Sequence, residues 1–247
     1  MGIEFMKKAR EEFIKRGIAK EGDIYDVDIT DEQFDEFEKK YDIVIPAEYR
    51  AFLRVMGNDF FMIKAAVPQE DIFDNYLDTI HQIKEMSSDE LDELDGDDSP
   101  YLEEIWTSFE AADKDEPLAK LAEALEGFRF FASQVKNPQI SPDQVKHFLP
   151  IADWQTAGPL CIDTSKKLED VDLDDPDTWQ LRWFDHEYFD WEYENYVDED
   201  GEVKGSIMLP DFESLVNLYF FGIYDKAYSM QLEEEEEDEP DKSTWVQ

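Results

Sequence analysis

The stretch from Ile43 to Asn58 constrains the fold of this chain more strongly than any other part of its sequence. A short apolar segment leads into a helix that starts at Pro46, because proline suits the first turn, where its missing N–H is not needed. Gly57-Asn58 predicts a left-handed end to that helix. One apolar face at helical spacing is formed by Tyr49, Phe52, Leu53 and Met56. The stretch therefore predicts a helix that packs this face into a core.

A second helix is predicted immediately before this stretch. Thr30 and Gln33 have the spacing of a capping box, in which the two side chains bond each other's backbone N–H groups. Phe34, Phe37 and Tyr41 then recur at helical intervals, which gives one buried stripe. The two helices thus present aromatic stripes to a common core.

The middle of the chain combines one predicted strand with a long acidic region. Residues 60–67 favour a strand, and residues 69–136 are predicted to form a mainly helical insert. The acidic centre of the insert, residues 87–100, is typical of a solvated loop or a frayed helix. The insert could be a lid on the main domain or a separate helical subdomain, and the sequence leaves both open.

The second half of the chain changes character and favours strands. Residues 148–152 and 160–163 predict a strand pair around a turn at Gly158-Pro159. Residues 180–196 alternate aromatic and polar side chains, which is the period of paired strands. Residues 198–201 predict a hairpin turn.

Both ends of the chain carry a predicted helix. Residues 1–29 predict a short basic helix that ends near Gly17, followed by a linker. A final helix is predicted to begin at about Pro210. Residues 229–247 include an unbroken acidic run and are predicted to be a disordered tail. The final helix would bury Phe212, Leu215, Val216 and Tyr219.

The charge of the chain narrows the class of partner. Lys and Arg number 23 against 64 Asp and Glu, which gives a formal net charge of −41. Such a charge repels nucleic acid and anionic membrane surfaces and attracts basic partners. A very soluble or salt-adapted surface would have the same composition. The 42% content of hydrophobic residues excludes a wholly disordered polymer.

No feature of the sequence indicates export or membrane insertion. The first residues lack the apolar run and the cleavage site of a secretory signal. Nowhere do about eighteen apolar residues run together. Cys161 is the single cysteine, so it cannot form an intrachain disulfide or a cysteine-based zinc site, and its apolar neighbours predict a buried core thiol. A cytoplasmic protein is expected.

The sequence shows no recognisable catalytic, cofactor-binding or metal-binding motif. His81, His147 and His186 are far apart in sequence. Asp185-His186-Glu187 cannot converge on one metal ion in a strand, because adjacent strand residues face opposite sides. The segment around Asp198 lacks the first ligand of a calcium-binding loop. We therefore expect a protein without enzymatic activity, cofactor or metal.

The densest group of surface candidates lies in residues 183–196. Alternate residues of a strand share a face, so one face would pack into the core while the other displays aromatic side chains and carboxylates together. Such a surface suits a basic protein partner, although an ordinary half-buried sheet has the same pattern. The candidate partner-binding residues are Asp185, Glu187, Tyr188, Asp190, Trp191, Glu192 and Glu194.

In their order and spacing, these elements resemble the SUKH superfamily of Smi/Knr-type domains, which includes many bacterial toxin-immunity proteins. The resemblance covers about residues 30–221. The region before Phe148 is longer than in a minimal member, and Gly57-Asn58 replaces the usual Gly-Gly or Asn-Gly. The matching segments are the helix with Phe34, Phe37 and Glu38, the proline helix of residues 45–58, the strand pair, residues 183–187 and the closing helix of residues 212–218.

The resemblance implies an α+β domain, here assigned to residues 30–228, in which a twisted, mostly antiparallel sheet packs against helices. It implies an immunity protein that binds a cognate bacterial toxin domain, and the charge favours a basic toxin such as a nuclease. Fungal relatives act in cell-wall signalling, so the fold alone does not fix the role. The alternative is a regulatory scaffold or a nucleic-acid-mimicking acidic protein that recruits basic proteins.

Overall fold

The computed structural model describes residues 2–58, 61–68, 102–165 and 180–238. The helices are α1 (Ile3–Lys15), α2 (Asp31–Tyr41), α3 (Ala47–Val55), α4 (Ala119–Ser133), α5 (Pro142–Val145), α6 (Phe212–Val216) and α7 (Asp225–Asp238), and a π-helical turn (Asn217–Phe221) continues α6. The strands are β1 (Phe61–Pro68), β2 (Leu102–Phe109), β3 (Phe148–Trp154), β4 (Gly158–Asp163), β5 (Leu181–Trp183) and β6 (Ser206–Leu209). None of the helices in these ranges is long and apolar enough to span a membrane.

The six strands form one curled antiparallel sheet in which the strand order follows the chain. Each strand is hydrogen-bonded to its sequence neighbour, as in a meander. The pairing register shifts between Pro150 and Ala152 and again between Leu181 and Arg182. Such irregularities increase the local twist. The predicted α+β fold, a mostly antiparallel sheet packed against helices, is therefore confirmed.

The main core lies between the inner face of the sheet and helices from both halves of the chain. Phe52 of α3 is fully buried, and its ring lies 6.3 Å from Phe109 of β2, 5.5 Å from Phe212 of α6 and 5.7 Å from Phe220 of the π-helical turn. α1 contributes Phe13, whose ring lies 5.0 Å from Phe220. The helix predicted to precede the domain thus shares its core, while the division into residues 1–29, 30–228 and 229–247 stays a prediction.

A second buried cluster covers the outer face of the sheet at β3 and β4. Phe148 and Cys161 point into it from the strands, and Phe128 enters from α4. Burial raises the pKa of the Cys161 thiol well above its ordinary value, which matches the predicted core thiol. The cluster is closed by Phe184 and Trp191, which lie beyond the end of β5.

Gly57 does not have the left-handed backbone that the sequence predicted. α3 ends at Val55 instead, and Gly57 exchanges two backbone hydrogen bonds of 3.0 Å with Tyr25. A Cβ at Gly57 would lie 2.3 Å from Cγ2 of Val27 and 2.7 Å from the Tyr25 carbonyl oxygen. This glycine is therefore needed for a close approach of two backbones and not for a turn.

The prediction of a mainly helical insert over residues 69–136 is wrong for residues 102–109. These residues form β2, which pairs with both β1 and β3 inside the central sheet. Ile105, Trp106 and Thr107 are β-branched or aromatic, which favours a strand once neighbouring strands are available. Residues 119–133 are helical, as expected. The acidic segment of residues 87–100 lies outside the described residues.

The disorder predicted for residues 229–247 is also wrong as far as Asp238. α7 runs from Asp225 to Asp238 and is attached to the sheet through Gln231. The Gln231 side chain accepts a hydrogen bond from the Leu102 N–H at 3.0 Å and donates one to its carbonyl oxygen at 3.3 Å. Glutamate is also a good helix former. Residues 239–247 lie outside the described residues.

The predicted strand pair of residues 148–152 and 160–163 is confirmed as β3 and β4. The turn between them lies one step earlier than predicted. Gln155 and Thr156 adopt left-handed φ values of 55° and 57°, and Gly158 and Pro159 already belong to β4. Asp153 then accepts a hydrogen bond of 3.0 Å from the Gly158 N–H and so closes the turn.

Candidate functional site

The strand that was predicted over residues 180–196 ends at Trp183. Beyond it, residues 184–196 form a series of turns, here called the aromatic loop, which folds over the second buried cluster. Phe184 is fully buried, with ring centroids 5.0 Å from Phe148 and 5.1 Å from Trp191. The alternation of faces that was expected for a strand is therefore wrong for the aromatic loop.

Trp191 is the side chain that holds the aromatic loop on the molecule. It has no exposed surface, and its ring lies 5.8 Å from Phe131 of α4 and 6.0 Å from Tyr196. Trp191 was predicted to bind a partner, but its side chain is fully buried and anchors the loop to the core. The residues on either side of it, Asp190 and Glu192, are exposed.

Backbone hydrogen bonds attach the aromatic loop to the segment that follows α4. The Lys136 N–H donates to the Phe189 carbonyl at 3.0 Å, and the Glu192 N–H donates to the Asn137 carbonyl at 3.1 Å. The Asn137 amide donates to Oδ1 of Asp190 at 3.0 Å, and the same oxygen accepts from the Tyr193 N–H at 3.0 Å. Asp190 therefore fixes the loop as well as contributing charge.

Aromatic side chains project into solvent from this rigid base. Tyr193 is 80% exposed, Tyr188 46% and Phe189 39%. Phe130 of α4 is 68% exposed, and it precedes Phe131, whose ring lies 5.7 Å from that of Phe189. Exposed aromatic side chains on a fixed backbone are typical anchors of protein interfaces.

Carboxylates surround these aromatic side chains. Glu187, Asp190 and Glu192 are exposed, and Asp185 and Glu194 are partly exposed. The sequence contains no Lys or Arg between residues 183 and 203. Oδ1 of Asp185 accepts a hydrogen bond of 2.8 Å from the Glu187 N–H, so part of its charge is used within the loop. The surface is thus both aromatic and negative.

Sequence reasoning missed three of the exposed aromatic residues: Phe130, Phe189 and Tyr193. A strand period assigns alternate residues to opposite faces, which cannot identify the exposed positions of a series of turns. The adjacent pair Phe130-Phe131 did carry a signal, because neighbouring residues of a helix cannot both face one core. Phe131 is the packed member of the pair and Phe130 is the exposed one.

The chemical groups near the aromatic loop suit binding. Burial raises the pKa of Tyr196 to about 12, and its hydroxyl oxygen accepts a hydrogen bond of 3.2 Å from the Asp185 N–H. Within the described residues, no group of three His, Cys, Asp or Glu side chains is arranged to hold a metal ion. Cationic side chains of a partner could bond the exposed carboxylates while their stems pack on the aromatic rings.

Comparison with known proteins connects the chain to a family. A family model described as the SMI1/KNR4 family (SUKH-1) matches residues 28–204. The matched range runs from the lead-in to α2 to just beyond the aromatic loop, and it leaves out α1, β6, α6, the π-helical turn and α7. Neither the search of curated proteins nor the search of solved structures gave a significant match.

Proposed function

The chain belongs to the SMI1/KNR4 family (SUKH-1), and from that premise we propose that it is an immunity protein that binds and neutralises a cognate bacterial toxin domain. The family includes toxin immunity proteins. The observation that supports this proposal is the aromatic loop, where the exposed ring of Tyr193 lies among exposed carboxylates. Binding, without chemistry on the partner, is the function that this surface supports.

The charge of the aromatic loop favours a basic toxin, such as a nuclease. Nucleases hold phosphates with Lys and Arg side chains. Glu187, Asp190 and Glu192 would pair with those side chains and so exclude the nucleic acid. Tyr188 and Tyr193 would exclude water around the ion pairs, which strengthens them. The long-range field of a chain with a net charge of −41 would accelerate the encounter. The complex would form in the cytoplasm.

The direct test is protection of cells against a toxin encoded beside this protein. We expect the wild-type chain to rescue growth and to hold the toxin domain through a high-salt wash. Tyr193→Ala combined with Glu192→Gln should weaken binding by about 10- to 100-fold, the range of a lost interface anchor. The matched control is Ile18→Ala combined with Glu36→Gln, which changes an exposed apolar residue and an exposed carboxylate elsewhere.

Equal losses in the two double variants would contradict the assignment of the surface. Absence of both rescue and binding with the wild-type chain would contradict the immunity function. The net charge of −41 also favours a second candidate, an acidic scaffold or nucleic-acid mimic. That protein would bind many basic proteins and release them at moderate salt, because exposed charges are screened.

A further inference from the structure

A second exposed aromatic site lies on the outer face of the sheet, at β1 and β2. Trp106 is 45% exposed and Met62 is 43% exposed, although both belong to strands. The register places Lys64 opposite Trp106 and Met62 opposite Ser108, so these side chains share one face. They border a groove of about 380 Å³, lined by Met62, Glu104, Ile105, Trp106, Gln155 and Thr156.

A cation of the chain itself already contacts two of the side chains that line this groove. The ammonium group of Lys64 lies 4.8 Å from the centre of the Trp106 ring and forms an ion pair with Glu104. A cation over an indole ring is attracted by the negative face of the π-system. The indole and the carboxylate therefore form a site whose chemistry suits a positive charge beside an apolar stem.

Lys64 does not fill the site. It is one ammonium group among side chains that leave both Trp106 and Met62 almost half exposed. Asp153 adds a further carboxylate on the same face, since it stands opposite Ser108 in the register between β2 and β3. β1 is also an end strand of the sheet, so the groove lies at the edge of the described sheet.

We infer that the Trp106 groove binds an arginine side chain of a basic protein partner, with Lys64 as an internal competitor for the same site. The inference rests on the proposed function, because it assigns a second contact surface to the same class of partner. Charge complementarity identifies the occupant. Glu104 and Asp153 lie on this face together with Lys64, within a chain of net charge −41.

Arginine suits the groove better than a second lysine does. Its planar guanidinium stacks on an indole ring and bonds a carboxylate through two N–H groups, whereas an ammonium group is a strongly hydrated point charge. The arginine stem would cover Met62 while the guanidinium displaces the Lys64 ammonium from Glu104. The aromatic loop would then bind the partner through its exposed aromatic side chains, and the groove would bind one arginine side chain of the same partner.

The test uses N-acetyl-arginine amide as the probe and the full chain labelled with ¹⁵N, in about 0.15 M salt to screen diffuse attraction. The Trp106→Phe variant identifies the indole N–H resonance of Trp106. We expect arginine amide to shift this resonance saturably. The citrulline amide, which has the same shape without the charge, should shift it much less. Glu104→Gln should weaken arginine binding by about three-fold, the size of an exposed cation–π or ion-pair contact.

Lys64→Ala provides the sharpest result, because removing the competitor should tighten arginine binding by about three-fold. Lys8→Ala removes one exposed positive charge from α1 and should leave binding at the groove unchanged. Equal shifts with arginine and citrulline, or equal effects of Lys64→Ala and Lys8→Ala, would overturn the inference. The assay contains no toxin, so its failure leaves the immunity proposal standing, and a failed protection assay leaves arginine binding intact.

Discussion

Arg16, the residue that caps the C-terminal end of α1, forms an ion pair with Asp225 of α7, although the two residues are 209 positions apart in the sequence. The same guanidinium donates hydrogen bonds of 3.0 Å and 2.8 Å to the carbonyl oxygens of Tyr219 and Phe220, at the end of the π-helical turn. Asp225 in turn accepts a bond of 3.5 Å from the Ala66 N–H of β1. One side chain therefore links α1, α7 and the edge of the sheet.

Replacing Arg16 should destabilise the whole fold. Arg16→Ala leaves two carbonyl groups and a carboxylate without their donor, and we expect a loss of about 1.5–3 kcal/mol in the free energy of unfolding. Arg16→Lys should recover only part of this loss, because an ammonium group cannot reproduce the planar fork. Chemical denaturation measures both, with Lys8→Ala as the exposed control on the same helix. A loss no larger than that of the control would contradict the linkage.

Two buried tyrosines offer a matched test of hydroxyl pairing. The Thr107 hydroxyl donates a hydrogen bond of 2.7 Å to the Tyr219 hydroxyl, whereas the Tyr224 hydroxyl has no partner among the described residues. Tyr219→Phe leaves a buried threonine unpaired and should cost about 1–3 kcal/mol. Tyr224→Phe removes an unpaired polar atom and should have an effect close to zero or a small stabilising one. Thermal unfolding measures the stability of both variants. Equal losses of stability would contradict the hydrogen bond between Thr107 and Tyr219.

Two glycines should respond in opposite directions to a single methyl group. Gly57→Ala drives a Cβ into Val27 and the Tyr25 carbonyl, and overpacking of this kind costs about 1–3 kcal/mol. Gly127 lies within α4, where an added Cβ meets nothing within 4 Å. Gly127→Ala should therefore stabilise the protein by about 0.5–1 kcal/mol through its better helix propensity. A denaturation midpoint that does not fall in Gly57→Ala would refute the close approach, and one that falls in Gly127→Ala would refute the open space at that position.

His147 should make stability depend on pH in the weakly acidic range. Burial lowers its pKa below the ordinary value of 6.5, and the Asp163 carboxylate, 3.8 Å from Nε2, opposes that shift. The positive charges of Lys146 and Lys204 also lower the pKa of His147, whereas the negative charge of Glu202 raises it. A histidine with a lowered pKa contributes stability that is complete above its unfolded pKa and is lost as the pH falls through its folded pKa.

The unfolding free energy of the wild-type chain should therefore fall from about pH 6.5 downwards more steeply than that of His147→Gln. Asp163→Asn should lower the pKa of His147 further, which a titration of the ring protons by NMR measures directly. A His147 pKa that rises in Asp163→Asn would contradict the role of the Asp163 carboxylate. Identical pH profiles for the wild-type chain and His147→Gln would show that burial does not lower the pKa of His147.

Substitutions at Trp191 and Tyr193 should distinguish a residue that holds the aromatic loop on the core from one that contacts a partner. Trp191→Ala removes a fully buried ring and should cost about 3–5 kcal/mol. Tyr193→Ala removes an 80% exposed ring, so stability should change by less than about 0.5 kcal/mol. Partner binding should fall in both variants, but for Tyr193→Ala without any loss of folding. A destabilised Tyr193→Ala would mean that this ring packs on the molecule.

The parts of the fold that the sequence predicted correctly are those that local contacts determine. The Thr30 side chain accepts from the Gln33 N–H at 3.2 Å, and the Gln33 side chain accepts from the Thr30 N–H at 2.9 Å. These bonds span three residues, so their pattern is visible in the sequence. The strand pair of β3 and β4 is likewise joined by a short turn. Its pairing follows from proximity along the chain.

The aromatic loop could not be predicted because distant residues decide its conformation. Trp191 turns inwards to meet Phe131 of α4, and the loop backbone bonds Asn137. Without those partners, the alternation of aromatic and polar residues indicates a strand. β2 was missed for a related reason, since its strand conformation depends on β1 and β3 on either side. Where a segment packs against or pairs with residues far away in the sequence, the local hydrophobic period does not predict its conformation reliably.

The position of Arg16 also sets when the protein can finish folding during its synthesis. A ribosome adds about 5–20 residues per second, so roughly 10–40 s separate the appearance of Arg16 from that of Asp225. During most of that interval Phe220 has not yet been synthesised, so Phe13 on the apolar side of α1 lacks the ring on which it packs in the folded protein. The nascent protein therefore exposes apolar core residues during synthesis, and in this interval it would depend most on chaperones.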